Sequence, residues 1–290
     1  MSILILGSNG FIGKNISKHF IGSTQVDSSF HNFITGPGYD KFSKHDIVID
    51  CVGKYGGLPY NQKYQEEVYF ENTLINVNIK KLIKFLGPNR YIKIYGACMY
   101  PSVEHDVQEK ILETHYTFAD SVKWSALSQL NDLRYLKQSN IPHDALVVTN
   151  CYGIGDHYGH ERSHVIGSVL TKMRSNKAQI NCIGTGISTR DFLFVDDLGS
   201  IIKKLINFEP TNDTINVSTG HQISIAKMIQ KIAKNYGYTG KILWGDDNDN
   251  GVIHKGMDNK KLLKLLGGFE FTTFDDGISK VVNDFKQTQL

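Results

Sequence analysis

The chain opens on an unbroken apolar run, Ile3-Leu4-Ile5-Leu6. A strand with one wet face alternates apolar and polar positions, whereas a strand covered on both faces does not. Three further segments have the same buried character: 46–51 (DIVIDC), 91–95 (YIKIY) and 144–148 (DALVV). Between them, apolar positions at helical spacing predict helices over 12–20, 64–86 and 122–139, so strand and helix alternate. Right-handed crossovers turn that alternation into a parallel, doubly wound sheet. The expected fold class is therefore α/β of Rossmann type, with a dinucleotide-binding domain over 1–150. A smaller C-terminal substrate-binding lobe is expected over 151–290, some of its segments returning to the first domain. Its pattern is mixed: helices near 164–175, 196–207, 224–236 and 275–286, a strand at 190–195, and Gly- and Asn-rich connections such as 246–251. The lobe should sit over the carboxyl ends of the strands, where open sheets bind ligands.

The stretch joining the first strand to the first helix is GSNGFIG, residues 7–13. In strand–turn–helix context this spacing has a specific physical use. Gly7 permits the tight turn, Gly10 lets main chain approach a pyrophosphate, and Gly13 lets the helix pack on the strand. Asn9, Phe11 and Ile12 complete the predicted cofactor loop. The short second strand, 24–26, ends at Asp27, whose carboxylate suits the ribose hydroxyls of NAD and repels the 2′-phosphate of NADP. No Arg lies between Val26 and Ser43, and Lys41 is the one Lys there, so the expected cofactor is NAD or NADP with NAD favoured.

Charge and composition narrow the function. With 32 Lys+Arg against 29 Asp+Glu the net charge is +3, apolar residues make up 40%, and only five cations are Arg, with no basic block. Main-state disorder and nucleic-acid binding are excluded as readings. The four cysteines, Cys51, Cys98, Cys151 and Cys182, show no metal-type spacing and are too scattered for a disulfide scaffold. No metal is expected, and a reducing cytoplasm suits them. No apolar run approaches bilayer length and the start lacks a signal-peptide pattern, so no membrane partner is expected.

Several segments in fixed order carry a family resemblance: GKYGG at 53–57, ENTLINVN at 71–78, GACMYP at 96–101, TNCYG at 149–153 and SHVIG at 163–167. GTG at 184–186, RDFLFVDD at 190–197, INVSTG at 215–220 and the spaced set Gly251, Lys255 and Asp258 complete it. Together they resemble the extended short-chain dehydrogenase/reductases and, within them, the GDP-L-fucose synthase branch. The resemblance implies a substrate that is a nucleotide-linked 4-keto-6-deoxy sugar, epimerised at C3 and C5 and then reduced at C4 by a nicotinamide cofactor. It also implies Cys98 and His164 as the proton-transfer pair, substrate contacts at Asn150, Arg190 and Lys255, and possible pairing of two chains through helices beside the sheet.

By the same resemblance, C4 reduction needs a Ser, and a Tyr and Lys four residues apart. The Ser position falls at Gly96. Counting back from TNCYG along an ungapped helix and strand puts the other two at Ser121 and Ser125. None of the 14 tyrosines is followed four residues later by Lys, and Lys123 stands about 200° of helical rotation away from Ser121. The expected activity is thus epimerisation with C4 reduction weakened or lost. A full epimerase/reductase with another donor, such as Tyr95, Tyr100 or Tyr116, and a non-catalytic nucleotide-sugar binding subunit are the alternatives. Backbone N–H groups near Gly96–Ala97 are the expected donors to the substrate's enolate oxygen. Each residue also has a plainer reading: Cys98 as a small apolar filler, His164 as a helix-start histidine, Arg190 paired with Asp191 or Asp197, Lys255 and Asp258 in solvated ion pairs.

Overall fold

The computed structural model describes residues 1–159 and 161–288. The strands are β1 (Ile3–Leu6), β2 (Thr24–Val26), β3 (Ile47–Asp50), β4 (Arg90–Gly96), β5 (His143–Val148), β6 (Asn150–Tyr152), β7 (Gln179–Asn181), β8 (Thr189–Phe194), β9 (Asp213–Val217), β10 (Gln222–Ser224), β11 (Lys241–Leu243) and β12 (His254–Lys255). The α-helices are α1 (Phe11–Ser17), α2 (Leu58–Lys63), α3 (Gln65–Leu86), α4 (Lys123–Gln138), α5 (Val165–Ser175), α6 (Val195–Leu205), α7 (Ile225–Tyr236), α8 (Lys260–Leu266) and α9 (Phe274–Gln287).

A six-stranded sheet runs in the order β2-β1-β3-β4-β5-β9. Every neighbouring pair in it is parallel. The apolar runs behave as doubly covered strands should: Leu4, Leu6, Val48, Tyr91, Tyr95 and Val147 face one core with α3 and α4. Ile5, Ile49, Ile92 and Leu146, the residues between them, face the other with α1 and α6. The sheet's last strand, β9, is a segment of the second half that returns beside β5, pairing Leu146 with Ile215. A smaller sheet of β10-β8-β12, with β6 beside β8, and a β11–β7 pair make up the rest. The smaller sheet packs with α5, α7 and α9 around Tyr152, Phe192 and Phe194. Among the described residues no helix is long and apolar enough to cross a membrane, and no cluster of metal-ligating side chains forms.

The α4 boundary differs from expectation. The helix starts at Lys123, and Ser121 lies before it in a short 3-10 turn over Asp120–Val122. Ser121 and Ser125 therefore do not share one continuous helix.

One part of the core is ionic, which the apolar patterning of YIKIY concealed. Lys93 on β4 pairs with Asp50 on β3 at 2.9 Å, and Lys80 on α3 pairs with Asp132 on α4 at 2.8 Å, all four side chains at most 5% exposed. Tyr91 donates to Asp50 at 2.6 Å, Tyr95 donates to Asp132 at 2.7 Å, and Lys80 reaches the Tyr91 oxygen at 3.2 Å. Burial pulls the Lys80 pKa down while the Asp132 carboxylate opposes that shift. Two strands and two helices are cross-linked by this ladder directly beneath the carboxyl ends of β3 and β4.

Candidate active site

The glycine loop is built by close approach. Gly7 has φ +78°, and a Cβ there would lie 3.0 Å from main-chain atoms of Cys51 and Val52. A Cβ on Gly13 would lie 2.1 Å from the Gly7 oxygen, so any side chain would push α1 off β1. Gly10 is different: its Cβ would meet only the Gly7 oxygen, at 3.3 Å, so the absent side chain leaves the loop open outward rather than relieving a clash. That open backbone is the cradle a dinucleotide pyrophosphate requires. Asn9 donates to the Asp27 carboxylate, and Asp27 also accepts from the Ser29 hydroxyl at 2.6 Å and the Ser29 N–H at 2.8 Å. The Ser29 hydroxyl, then its N–H, hold the Asp27 pKa below the usual carboxylate range, so it is anionic at the end of β2. Lys41 is turned to the Phe30 carbonyl instead. Phe11 is buried with its ring 6.4 Å from that of His164, and Ile12 packs on the core, so these two offer the cofactor only main chain.

Cys98 stands just past β4 in the turn Ala97–Met99. Gln129 on α4 holds this turn: its Oε1 accepts from Gly96 N–H at 2.7 Å and its Nε2 donates to Cys98 Sγ at 3.2 Å. Ser125 Oγ lies 3.9 Å from the same sulfur. Gln129 thus consumes the Gly96 N–H, correcting the expectation that it could serve a substrate oxygen. A Cβ at Gly96 would meet Gln129 Oε1 at 3.6 Å and Cys98 Sγ at 3.7 Å, ordinary contacts, so a serine is sterically permitted there.

The tyrosines considered as substitute donors are occupied or remote. Tyr95 is committed to Asp132, Tyr100 donates to Asn216, and Tyr116 is 73% exposed with Arg134 over its ring.

His164 is the N-cap residue of α5, and its ring bonds Asp156 rather than the helix: Nδ1 lies 3.0 Å from Oδ1 and 3.2 Å from Oδ2. Burial pulls the imidazole pKa down, but the hydrogen bond and charge of Asp156 outweigh it and the net direction is up. The pair stabilises the fold most when the ring is protonated, and that contribution fades as pH rises through the folded-state pKa. Asp156, eight residues upstream, carried no signal in the sequence; only the closure of the loop brings it to the ring.

Arg190 and Lys255 are register partners on β8 and β12. Neither is ion-paired among the described residues. Asp191 is engaged by Thr219 and Gly220, and Asp197 by Thr272. Burial pulls both cations' pKa values down, and the Lys255 charge interacts with Cys98 and Arg190. Two partly buried, unpaired cations side by side are a site for an anion. Asp258 pairs with Lys260 at 3.2 Å, the solvated alternative. Asn150 donates its amide to the Asp191 carbonyl at 2.8 Å, leaving Oδ1 as its remaining group.

Among the described residues no hydrogen bond joins Cys98 to His164. The segment before His164 is tied to the loop at 53–57: Arg162 donates to the Tyr55 carbonyl at 3.0 and 2.7 Å, and Gly57 N–H donates to the Arg162 carbonyl at 3.2 Å.

The model of the NAD dependent epimerase/dehydratase family matches residues 38–218, more than half of the chain. The chain belongs to that family. Among relatives within it, the GDP-L-colitose synthase of Yersinia pseudotuberculosis is 27% identical over 98% of both chains. The GDP-L-fucose synthase of Escherichia coli K12 is 24% identical over 99% of this chain and 97% of its own. A GDP-L-fucose synthetase from Naegleria fowleri bound to NADP superposes with a TM-score of 0.84 at 20% identity, covering 99% of this chain and 92% of that one. A GDP-6-OMe-4-keto-L-xylo-heptose reductase from C. jejuni superposes with a TM-score of 0.86 at 17% identity, covering 98% and 97%. The Rossmann fold and the GDP-L-fucose synthase resemblance drawn from the motifs are both borne out. For an epimerase/dehydratase family protein the departure is local: Gly96, Ser121 and Ser125 stand where the resemblance calls for Ser, Tyr and Lys.

Replacing Asp156 with Asn removes the charge that holds the His164 pKa up. The His164 pKa of Asp156→Asn, followed by NMR titration of the ring carbon signals, should lie below that of the parent protein; an unchanged or higher value would refute the pairing as its cause.

Proposed function

We propose that the protein is a nucleotide-sugar epimerase that acts at C3, C5 or both of a 4-keto-6-deoxy sugar nucleotide and has lost most C4 reduction. The observation that carries this reading is the division within the site. Cys98 and His164 keep polar partners suited to proton transfer, while Gly96, Ser121 and Ser125 offer no acid–base pair to the C4 oxygen. GDP as the nucleotide rests on the names of the fucose and colitose synthases.

A 4-keto group acidifies the protons on C3 and C5, so inversion needs one group to take a proton and another to return one on the opposite face. With Nδ1 of His164 held by Asp156, Nε2 is the nitrogen left to move a proton, near neutral pH. Cys98, oriented by Gln129, is the second group. Arg190 and Lys255 hold the diphosphate, and Asn150 Oδ1 remains as an acceptor. When bound, the nicotinamide supplies the hydride for C4 reduction in this family. The test is solvent deuterium incorporation into a GDP-linked 4-keto-6-deoxy sugar, read by NMR. Wild type should exchange, Cys98→Ser and His164→Asn should lose exchange at one or both carbons, and NAD(P)H oxidation should run about 10²–10⁴-fold below that of an enzyme with a positioned acid. No ring exchange in wild type, or normal exchange in both variants, favours a binding subunit; fast NAD(P)H oxidation restores the full reductase.

Asp27, anionic and without a cation beside it among the described residues, supports NAD over NADP, although the Naegleria neighbour was solved with NADP. Calorimetry should give tighter binding of NAD(H) than NADP(H), and a folded Gly10→Val should lose both; equal or reversed affinities would sink the preference.

The outer face of α3 exposes Phe70, Leu74, Val77 and Phe85, flanked on α4 by Trp124 and Tyr135. Such a stripe on two adjoining helices suits a second copy of the same chain. Light scattering should therefore report about twice the 32.6 kDa chain mass, and a monomer at micromolar concentration would refute the pairing.

A further inference from the structure

The unpaired cations and the thiol belong to different sheets: Arg190 and Lys255 lie on β8 and β12 of the smaller one, and Cys98 follows β4 of the larger. A ligand that spans them reacts only if the two parts are held at a set distance. The chain itself bridges them, crossing from the Cys98 turn to β12 over residues 100–107. Tyr100 donates to Asn216 on β9 at the start of the crossing. At its end, Val107 N–H donates to the Gly256 carbonyl at 3.1 Å, and the Val107 carbonyl accepts from Asp258 N–H at 2.9 Å. A cavity of about 10 Å³, room for one water, lies at this junction. It is lined by Ala97 of the thiol turn, by Val103 and His105 of the crossing, and by His254 and Lys255.

Asp106 ties the crossing to both cation strands. Its Oδ1 lies 3.0 Å from His254 Nε2 and accepts from Gln222 Nε2 at 2.8 Å. The Gln222 amide is oriented by Thr189, whose hydroxyl donates to Oε1 at 2.8 Å. His254 and Thr189 are register partners, and so are the residues that follow them, Lys255 and Arg190. Directly or through Gln222, one carboxylate thus holds the residue before each cation. Its place is cleared by Gly256, next to Lys255, where a Cβ would collide with both Asp106 Oδ1 and Gln222 Nε2.

Resting on the epimerase reading, we propose that Asp106 is a positioning residue: it fixes the cations of β8 and β12 relative to the Cys98 turn, so that a sugar nucleotide anchored by its diphosphate presents its ring to the thiol. His254 and Asp106 are 26% and 43% exposed. A pair this exposed adds little to stability, and the main-chain bonds of Val107 hold the crossing without it. What the carboxylate controls is the fit between the two parts, where a displacement of about 1 Å can cost about 10²-fold in rate.

Asp106→Ala removes the carboxylate, while Asp106→Asn keeps an acceptor and loses only the charge. Two measurements are made on the full chain: deuterium exchange into a saturating GDP-linked 4-keto-6-deoxy sugar, and calorimetric affinity for that compound and for GDP. Exchange is expected to be about 10–100-fold slower in Asp106→Ala and about 3–10-fold slower in Asp106→Asn, with GDP affinity within about threefold of wild type. A loss below about tenfold in Asp106→Ala overturns the proposal. GDP affinity that falls in step with the rate assigns Asp106 to the fold and also overturns it. If Asp106→Ala does not fold, Asp106→Asn decides, and a loss below about threefold there overturns the proposal. If wild type exchanges no ring proton, the epimerase reading falls by itself and Asp106 is judged on binding. Keto-sugar affinity about fivefold or more weaker in Asp106→Ala, with GDP unchanged, then supports it. A smaller change, equal weakening of both ligands, or no keto-sugar binding by either protein overturns it.

Discussion

The Lys80–Asp132 pair, inside the angle between α3, α4 and the sheet, is the contact on which the geometry above it depends. Charges this deep are expensive to bury, and removing one partner of such a pair costs about 3–5 kcal/mol because the other is left uncompensated. Asp132 also receives the Tyr95 hydroxyl, so β4 and α4 are held in one relative position. Gln129, one turn of α4 before Asp132, can then reach both Gly96 and Cys98. A slip of α4 would break both contacts together with the ionic ladder.

Above this base the site is divided by charge. Among the described residues Arg190 and Lys255 are cations without a carboxylate partner, and Asp156 holds the His164 pKa up. Under the proposed epimerase reading these two environments suit a diphosphate and a ring proton. The reductive positions have instead been absorbed into structure, since Ser125 is buried and bonded to Gln129 while Ser121 lies ahead of the helix.

Much of this was legible in the chain before folding. Short apolar runs alternating with helical patterns suit doubly covered strands, and GSNGFIG between a strand and a helix suits a helix sitting close on that strand; both features are local, so they survive reading in one dimension. The motifs around Cys98, His164 and Arg190 pointed to their residues for the same reason. Less legible were β9, whose place at the sheet edge exists only once β5 is packed beside it, and the start of α4, where the first turn is 3-10.

What the tertiary structure alone decided is who partners whom. Lys93 in YIKIY looked like a polar residue in a strand and proved to be half of a buried ion pair. The Gly96 N–H looked available and proved to be spent on Gln129, 33 residues away. Asp156 had no mark in the sequence, because a hydrogen bond or a raised pKa belongs to a neighbourhood and not to a residue type. Sequence by itself determined the fold and the family, which depend on periodicity and spacing. The state of each site group depends on burial and on the nearest charge, and both exist only once distant segments have been packed together.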